Sequence, residues 1–309
     1  MPKFLTAKVL VWLLLALIWS TTWIFIKIGL ADLPPIAFSS SRFLVSVAIL
    51  FVVIRLQRIP LPKTAAEWKL LALTGVLQFS INYSMVFWAE QHITSGLAAV
   101  LQATITVFGL ALAWIFLPNE RITPQKIIAV AIGVIGVAVI FADQLRVENF
   151  LAFAGCIAIV VGAYAAAQAS ILIKARGSAI HPASMVFCQM ICGLPAIMIY
   201  SLIREGNPLT YRWSWTAIFC VLYLAVFGSV IAFWLYYWLL SKIESTQAMM
   251  ISLVTPLLAV VIGAIVLGET LPPQTGIGGL LIIASIGLIV FKRKNHHKDT
   301  EDTEISKAS

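Results

Sequence analysis

Few side chains in this 309-residue chain could do chemistry, and the most conspicuous is Arg42. It lies some seven residues into an apolar run, too deep to be a flanking charge. A charge at that depth costs several kcal/mol unless it is paired or wetted. Asp32 and Glu90 are the nearest acids that could pair with it, and the carboxylate of a ligand could serve instead. Lys27 stands nearer the end of its run, where its long stem lets the ammonium reach the interface. No acid lies within any apolar run: Glu90, Glu120, Glu244 and Glu269 all fall at run edges.

These residue types exclude most catalytic chemistry. A buried enzyme centre needs a nucleophile with a histidine base, or paired acids. His92 and His181 fall in loops, and no two acids pair inside the runs. Cys188 and Cys192 are one helical turn apart, but no His or acid stands near them in sequence, so they read as packing residues with Cys156 and Cys220. His296 and His297 belong to a polar tail. No metal site and no cofactor is expected, and the chain does not read as an enzyme.

Uncharged polar residues instead form stripes at helical spacing. Gln78 and Asn82 are four apart; Ser95, Gln102 and Thr106 share a face; so do Tyr164 and Gln168. Gln247, Ser252 and Thr255 lie along another run, and Gln189 stands alone. Trp19, Thr22 and Trp23 make a mid-run patch that could stack on a ligand. Such groups also serve as hydrogen-bonding glue between membrane helices. Spread over many runs, they point to a shared polar cavity. The candidate substrate-binding residues are Arg42, Trp19, Thr22, Gln78, Asn82, Gln102, Thr106, Tyr164, Gln168, Gln189, Gln247 and Ser252.

The elements that must position them are transmembrane helices. The chain is 61% hydrophobic and 11% charged, against about 25% charged for soluble domains. Ten runs of spanning length are expected, at 9–30, 36–54, 70–89, 95–117, 124–142, 150–173, 183–203, 214–240, 246–267 and 273–291. An all-α membrane protein follows, because a lipid-exposed backbone must satisfy its own hydrogen bonds. The net charge of +8 has no soluble domain to form a nucleic-acid surface, and it reads as a topology signal. With both termini cytoplasmic, sixteen Lys and Arg fall inside and three outside, which decides the orientation. The tail after residue 292 reads as disordered from its composition.

The stretch NERITPQKI (119–127) recurs as GETLPPQTGI (268–277): a shift of 149 pairs Glu120 with Glu269, Pro124 with Pro273 and Gln125 with Gln274. Residues 1–148 and 149–292 therefore read as two five-helix repeats. Five is odd, so the second must cross in the opposite sense. Inverted repeats around a midplane site are characteristic of secondary transporters. The fifth and tenth runs carry almost no polar side chains but many glycines, so they cannot line a polar cavity. Their small faces suit close packing, within a monomer or across a homodimer.

With these residues in view, the chain resembles the drug/metabolite transporter superfamily in its EamA-like branch. The resemblance rests on the paired Glu-x-x-x-Pro motifs, WSTTWIFIK (19–27), SSSRFLV (39–45) and WAEQHITSGLAAVLQAT (88–104), and it covers about residues 8–292. It implies a carrier in a bacterial inner membrane, often an exporter of amino acids or other small metabolites. It also implies a cavity surrounded by helices one to four and six to nine, with five and ten peripheral. One departure is Val107, where the family often has a proline that the ninth helix keeps as Pro256. A channel-like facilitator is the alternative reading.

Overall fold

The structure, a computed structural model, describes residues 3–267 and 273–305. Among these residues every regular element is helical. Eight helices are long and apolar enough to cross a membrane: α1 (Ala7–Gly29), α2 (Pro35–Leu56), α3 (Ala65–Ala89), α4 (Gly96–Phe116), α6 (Phe150–Arg176), α7 (Pro182–Glu205), α8 (Trp215–Lys242) and α9 (Ser245–Ile262). Two apolar helices are shorter, α5 (Pro124–Ile140) and the Pro273–Ile289 stretch of α10. The protein is an all-helical, multi-pass membrane protein.

Local sequence explains the boundaries. α3 starts five residues before the hydropathy pattern does, because Thr64 and Glu67 form a capping box. Glu67 Oε2 accepts from the Lys63 and Thr64 amides at 2.8 and 3.0 Å. Thr123 caps α5 and Pro124 fills its first turn, where a missing N–H is harmless. α5 ends at Ile140 because Phe141 leaves the helical region and a 3₁₀ turn, Ala142–Gln144, follows. At the other end of the chain, α10 continues as helix to Ile305, into the polar segment whose composition reads as disordered.

Two helices contain wide turns. Val76–Asn82 in α3 and Leu224–Ile231 in α8 are π-helical, each inserted between α-helical segments. Such bulges shift the face that side chains present and occur often at functional sites.

The helices pack as a set of pairs. α5 lies along α10, α2 along α7, α1 along α9 and α4 along α6. α3 packs against α6 and α7, and α8 against α1 and α2. Small residues make these approaches close. A Cβ on Gly136 of α5 would lie 2.8 Å from the Gly278 carbonyl of α10, and a Cβ on Gly278 would lie 2.5 Å from the Gly136 carbonyl. Ser285 Oγ donates to the Ala129 carbonyl at 2.6 Å in the same seam. The glycine-rich faces of α5 and α10 are thus used against each other.

The acids at run edges cap helices distant in sequence. Glu120, in the NERITPQKI stretch, accepts from the Ser245 amide at 3.0 and 2.9 Å and from Ser245 Oγ at 2.6 Å. Its carboxylate therefore closes the N-terminus of α9, where free amides and the helix dipole favour an anion. Lys174 at the end of α6 lies 3.8 Å from Glu120 and donates to the Leu240 and Ile243 carbonyls at 2.6 and 2.7 Å. Lys126 pairs with Glu244 at 3.1 Å. The stretch that reads as a turn thus also ties α4, α6, α8 and α9 at one end of the bundle. Its repeat, through residue 272, lies outside the described residues. Glu205 serves α2 similarly, accepting from the Ile36 and Ala37 amides at 2.8 and 2.6 Å.

Two outcomes are expected. Glu120→Gln keeps the shape but removes charge from the cap, and it should lower the melting temperature in detergent by about 3–8 °C; Glu148→Gln, on the exposed loop, is the control. Gly136→Leu should force α5 and α10 apart and give a larger loss, read as poor monodispersity on size-exclusion chromatography.

Candidate functional site

The helices surround a partly open cavity of about 200 Å³ whose wall takes side chains from α1, α2, α3, α4, α6, α8 and α9. Among the described residues, none of α5, α7 or α10 lines it. Periodicity explains how each helix reaches in. Trp19, Thr22, Trp23 and Ile26 lie at i, i+3, i+4 and i+7 on α1. Ser252, Thr255 and Pro256 repeat the pattern on α9, and Ala99 and Gln102 do so on α4. On α3 the residues are Gln78, Asn82, Val86 and Glu90, a ladder of fours that passes through the π-helical segment. Its wider turn helps hold an i+4 series on one face.

Arg42 of α2 is the cation of the cavity wall, and it is only 3% exposed. Its guanidinium lies 4.6 Å from the ring centroids of both Phe43 and Tyr83 and 5.9 Å from that of Phe87. Aromatic faces stabilise a desolvated guanidinium and hold its plane. Nε and Nη2 have no hydrogen-bond partner among the described residues. Neither acid that the sequence offers bonds them. Asp32 instead accepts from Ser214 Oγ at 2.5 Å and pairs with Arg212 at 3.3 Å. Glu90 lines the same cavity without reaching the guanidinium. Burial lifts the Glu90 carboxyl to about 7, with the positive charge of Arg42 pulling the other way.

The remaining wall is aromatic and amide. Trp19 packs on Phe233 and Tyr236 with ring centroids 5.8 and 5.5 Å apart. Tyr236 donates to Ser170 Oγ at 3.2 Å. The carbonyl oxygens of Asn82 and Gln102 have no hydrogen-bond partner among the described residues. Unpaired donors on Arg42 and unpaired acceptors on the two amides leave a polar requirement that water or a ligand must meet.

Seven of the twelve residues singled out from the sequence share this cavity: Trp19, Thr22, Arg42, Gln78, Asn82, Gln102 and Ser252. Five lie elsewhere. Gln189 is fully buried and donates to Thr74 Oγ1 at 2.7 Å, joining α7 to α3. Thr106 bonds back to the Ala103 carbonyl at 2.7 Å within its own helix. Tyr164 is 41% exposed and sits edge-on to Phe108. Gln168 is half-buried off the wall, and Gln247 accepts the Trp12 indole N–H on its backbone carbonyl at 2.9 Å. Tyr83, Ser170 and Tyr236 line the cavity without having been singled out, and Glu90, named only as a possible partner of Arg42, lines it too. Glu90 and Tyr83 could have been found by extending the Gln78–Asn82 stripe along its own helix face.

Comparison with known proteins gives the chain a family. The EamA-like transporter family matches the chain twice, over residues 6–142 and again over 153–291. The Escherichia coli (strain K12) protein named uncharacterized inner membrane transporter YedA is 32% identical over 281 residues, covering 90% of this chain and 86% of that one. The Bacillus subtilis (strain 168) protein named uncharacterized transporter YoaV is 25% identical over 275 residues, covering 89% and 94%. A Salmonella typhimurium protein named a probable amino-acid metabolite efflux pump is 27% identical over 289 residues, covering 90% and 93%. One crystal structure superposes with a TM-score of 0.80 over 94% of this chain and 98% of its own, at 15% identity, a likeness of fold. With both halves matched, the chain belongs to the EamA-like transporter family of the drug/metabolite transporter superfamily.

Proposed function

We propose that the protein is a secondary transporter that exports small metabolites such as amino acids across a bacterial inner membrane, presenting the central cavity alternately to its two sides. The observation that carries this reading is the cavity itself. It is walled by four helices of the first half (α1–α4) and three of the second (α6, α8 and α9), and it holds a buried cation with unmet donors. Its volume of about 200 Å³ falls below the roughly 300–1,000 Å³ of pockets for drug-sized ligands, which favours amino-acid-sized cargo over bulky drugs. The Salmonella relative's name agrees with that size class.

In this reading the chain crosses the membrane ten times, as two inverted five-helix halves with both termini in the cytoplasm. The packing supports it. Exchanging each helix for its counterpart five positions along turns α1–α9 into α6–α4, α3–α6 into α8–α1 and α3–α7 into α8–α2. The pairs α2–α7 and α5–α10 map onto themselves. The π-helical segments, Val76–Asn82 and Leu224–Ile231, also fall in counterpart helices. A pseudo-two-fold arrangement of this kind lets one half rock against the other around a fixed site. The residues that would hold cargo are Arg42, Asn82, Gln78 and Gln102 for its polar end, with Trp19, Thr22 and Ser252 around its body. We read the protein as a carrier and not an enzyme, because the cavity wall holds one carboxyl and no nucleophile–base pair.

Purified protein in liposomes should give saturable flux for at least one labelled amino acid or related metabolite. Conductance without saturation would instead support a channel, and no flux for any compound across a broad panel would refute the carrier reading. Ser252→Trp, which fills the cavity from α9, should cut that flux at least about tenfold, while Ile135→Trp on the exposed apolar face of α5 leaves it unchanged.

A further inference from the structure

The cavity holds one acid, and the cation that faces it is the one with unmet donors. Titratable groups on the wall are Arg42 from α2, Tyr83 and Glu90 from α3, and Tyr236 from α8. α1, α4, α6 and α9 present tryptophan, amide, hydroxyl and apolar groups. The charge acting on Glu90 is therefore that of Arg42. Resting on the carrier reading above, we propose that Arg42 receives the carboxylate of an organic anion whose apolar body lies against Trp19 and Tyr236. As the anion arrives, Glu90 takes up a proton from the medium, so that carboxylate and proton occupy the cavity together.

Nε and Nη2 of Arg42 form one edge of a planar fork, the geometry that matches the two oxygens of a carboxylate. Aromatic rings hold that fork in place. Without cargo, the field of Arg42 is opposed at a distance by the Glu90 carboxyl wherever that group is ionised. A bound carboxylate takes over that neutralisation and adds a second negative charge to a space of about 200 Å³. Two carboxylates sharing one small site cannot both stay ionised cheaply, and the less solvated one protonates. Glu90 is that group, since burial already raises it to about 7 while an ordinary free carboxylate stays ionised. No bond of the cargo changes. An O–H bond forms at Glu90 with a solvent proton, and it breaks when the anion leaves.

Linkage fixes the sign. Protonated Glu90 removes the repulsion, so anion affinity rises as pH falls through the Glu90 titration near 7. Proton uptake on binding is the reciprocal statement. An acid on the wall thus suits proton-linked movement of carboxylates, even though no acid lies within an apolar run.

The test uses the full chain in lipid nanodiscs and two matched pairs of probes: phenylacetate with 2-phenylethylamine, and isovalerate with isoamylamine. At least one carboxylate should bind, at least about fivefold more tightly at pH 6 than at pH 8, and neither amine should bind. Arg42→Gln should weaken the carboxylate at least about tenfold. Glu90→Gln should bind at pH 8 as the wild type does at pH 6 and lose its pH dependence, a gain of affinity that misfolding cannot produce. Amine binding in preference to carboxylate, a flat or inverted pH profile, or a Glu90→Gln protein that keeps the profile would overturn the proposal. If the liposomes carry some other compound saturably while neither carboxylate binds, the proposal fails and the carrier reading stands.

Discussion

A buried guanidinium bonded to no acid among the described residues is the constraint around which the rest of the molecule is arranged. Arg42 is almost fully enclosed, and two of its nitrogens have no partner among the described residues. Such a group is stable only if aromatic faces, water and a nearby acid share its cost. Phe43 and Tyr83 supply the faces, and the cavity supplies room for water. Glu90 supplies charge at a distance. A cation left in that state is poised to trade its weak compensation for a stronger one, which is what a transported anion would offer.

The surrounding bundle keeps this arrangement rigid where it must be rigid. Reciprocal glycines bring α5 and α10 together away from the cavity, and Gly75 and Gly193 do the same for α3 and α7, where a Cβ on Gly193 would lie 2.6 Å from the Gly75 carbonyl. Glu120 and Lys174 tie one end of the bundle through the N-terminus of α9. Two of the cavity-lining helices, α3 and α8, carry the π-helical turns.

Much of this was legible in the sequence, and what was not legible has a common cause. Hydropathy locates helices well, and i, i+4 stripes identify polar faces; Gln78, Asn82 and Gln102 are among the residues that line the cavity. What hydropathy lacks is the rotation of each helix within the bundle. Gln189 and Gln102 look alike in sequence, yet one bridges two helices and the other lines a cavity. Tyr164 turns outward because alanines occupy the inward face of α6 around it. Glu90 reads as an interfacial flank because it follows the last apolar residue of α3; only the tertiary fold brings α2 across to set Arg42 beside the same space. Glu120 reads as a turn residue because its partner, Ser245, lies 125 positions away.

The most direct measurement of the central claim is thiol accessibility in the cavity. In a background with Cys156, Cys188, Cys192 and Cys220 replaced, a cysteine at Ser252 should react with a water-soluble thiol reagent, and a transported substrate should slow that reaction. A cysteine at Ile135, on the apolar outer face of α5, should stay unreactive. A Ser252→Cys protein that transports yet never reacts, or reacts at a rate indifferent to saturating substrate, would contradict the account.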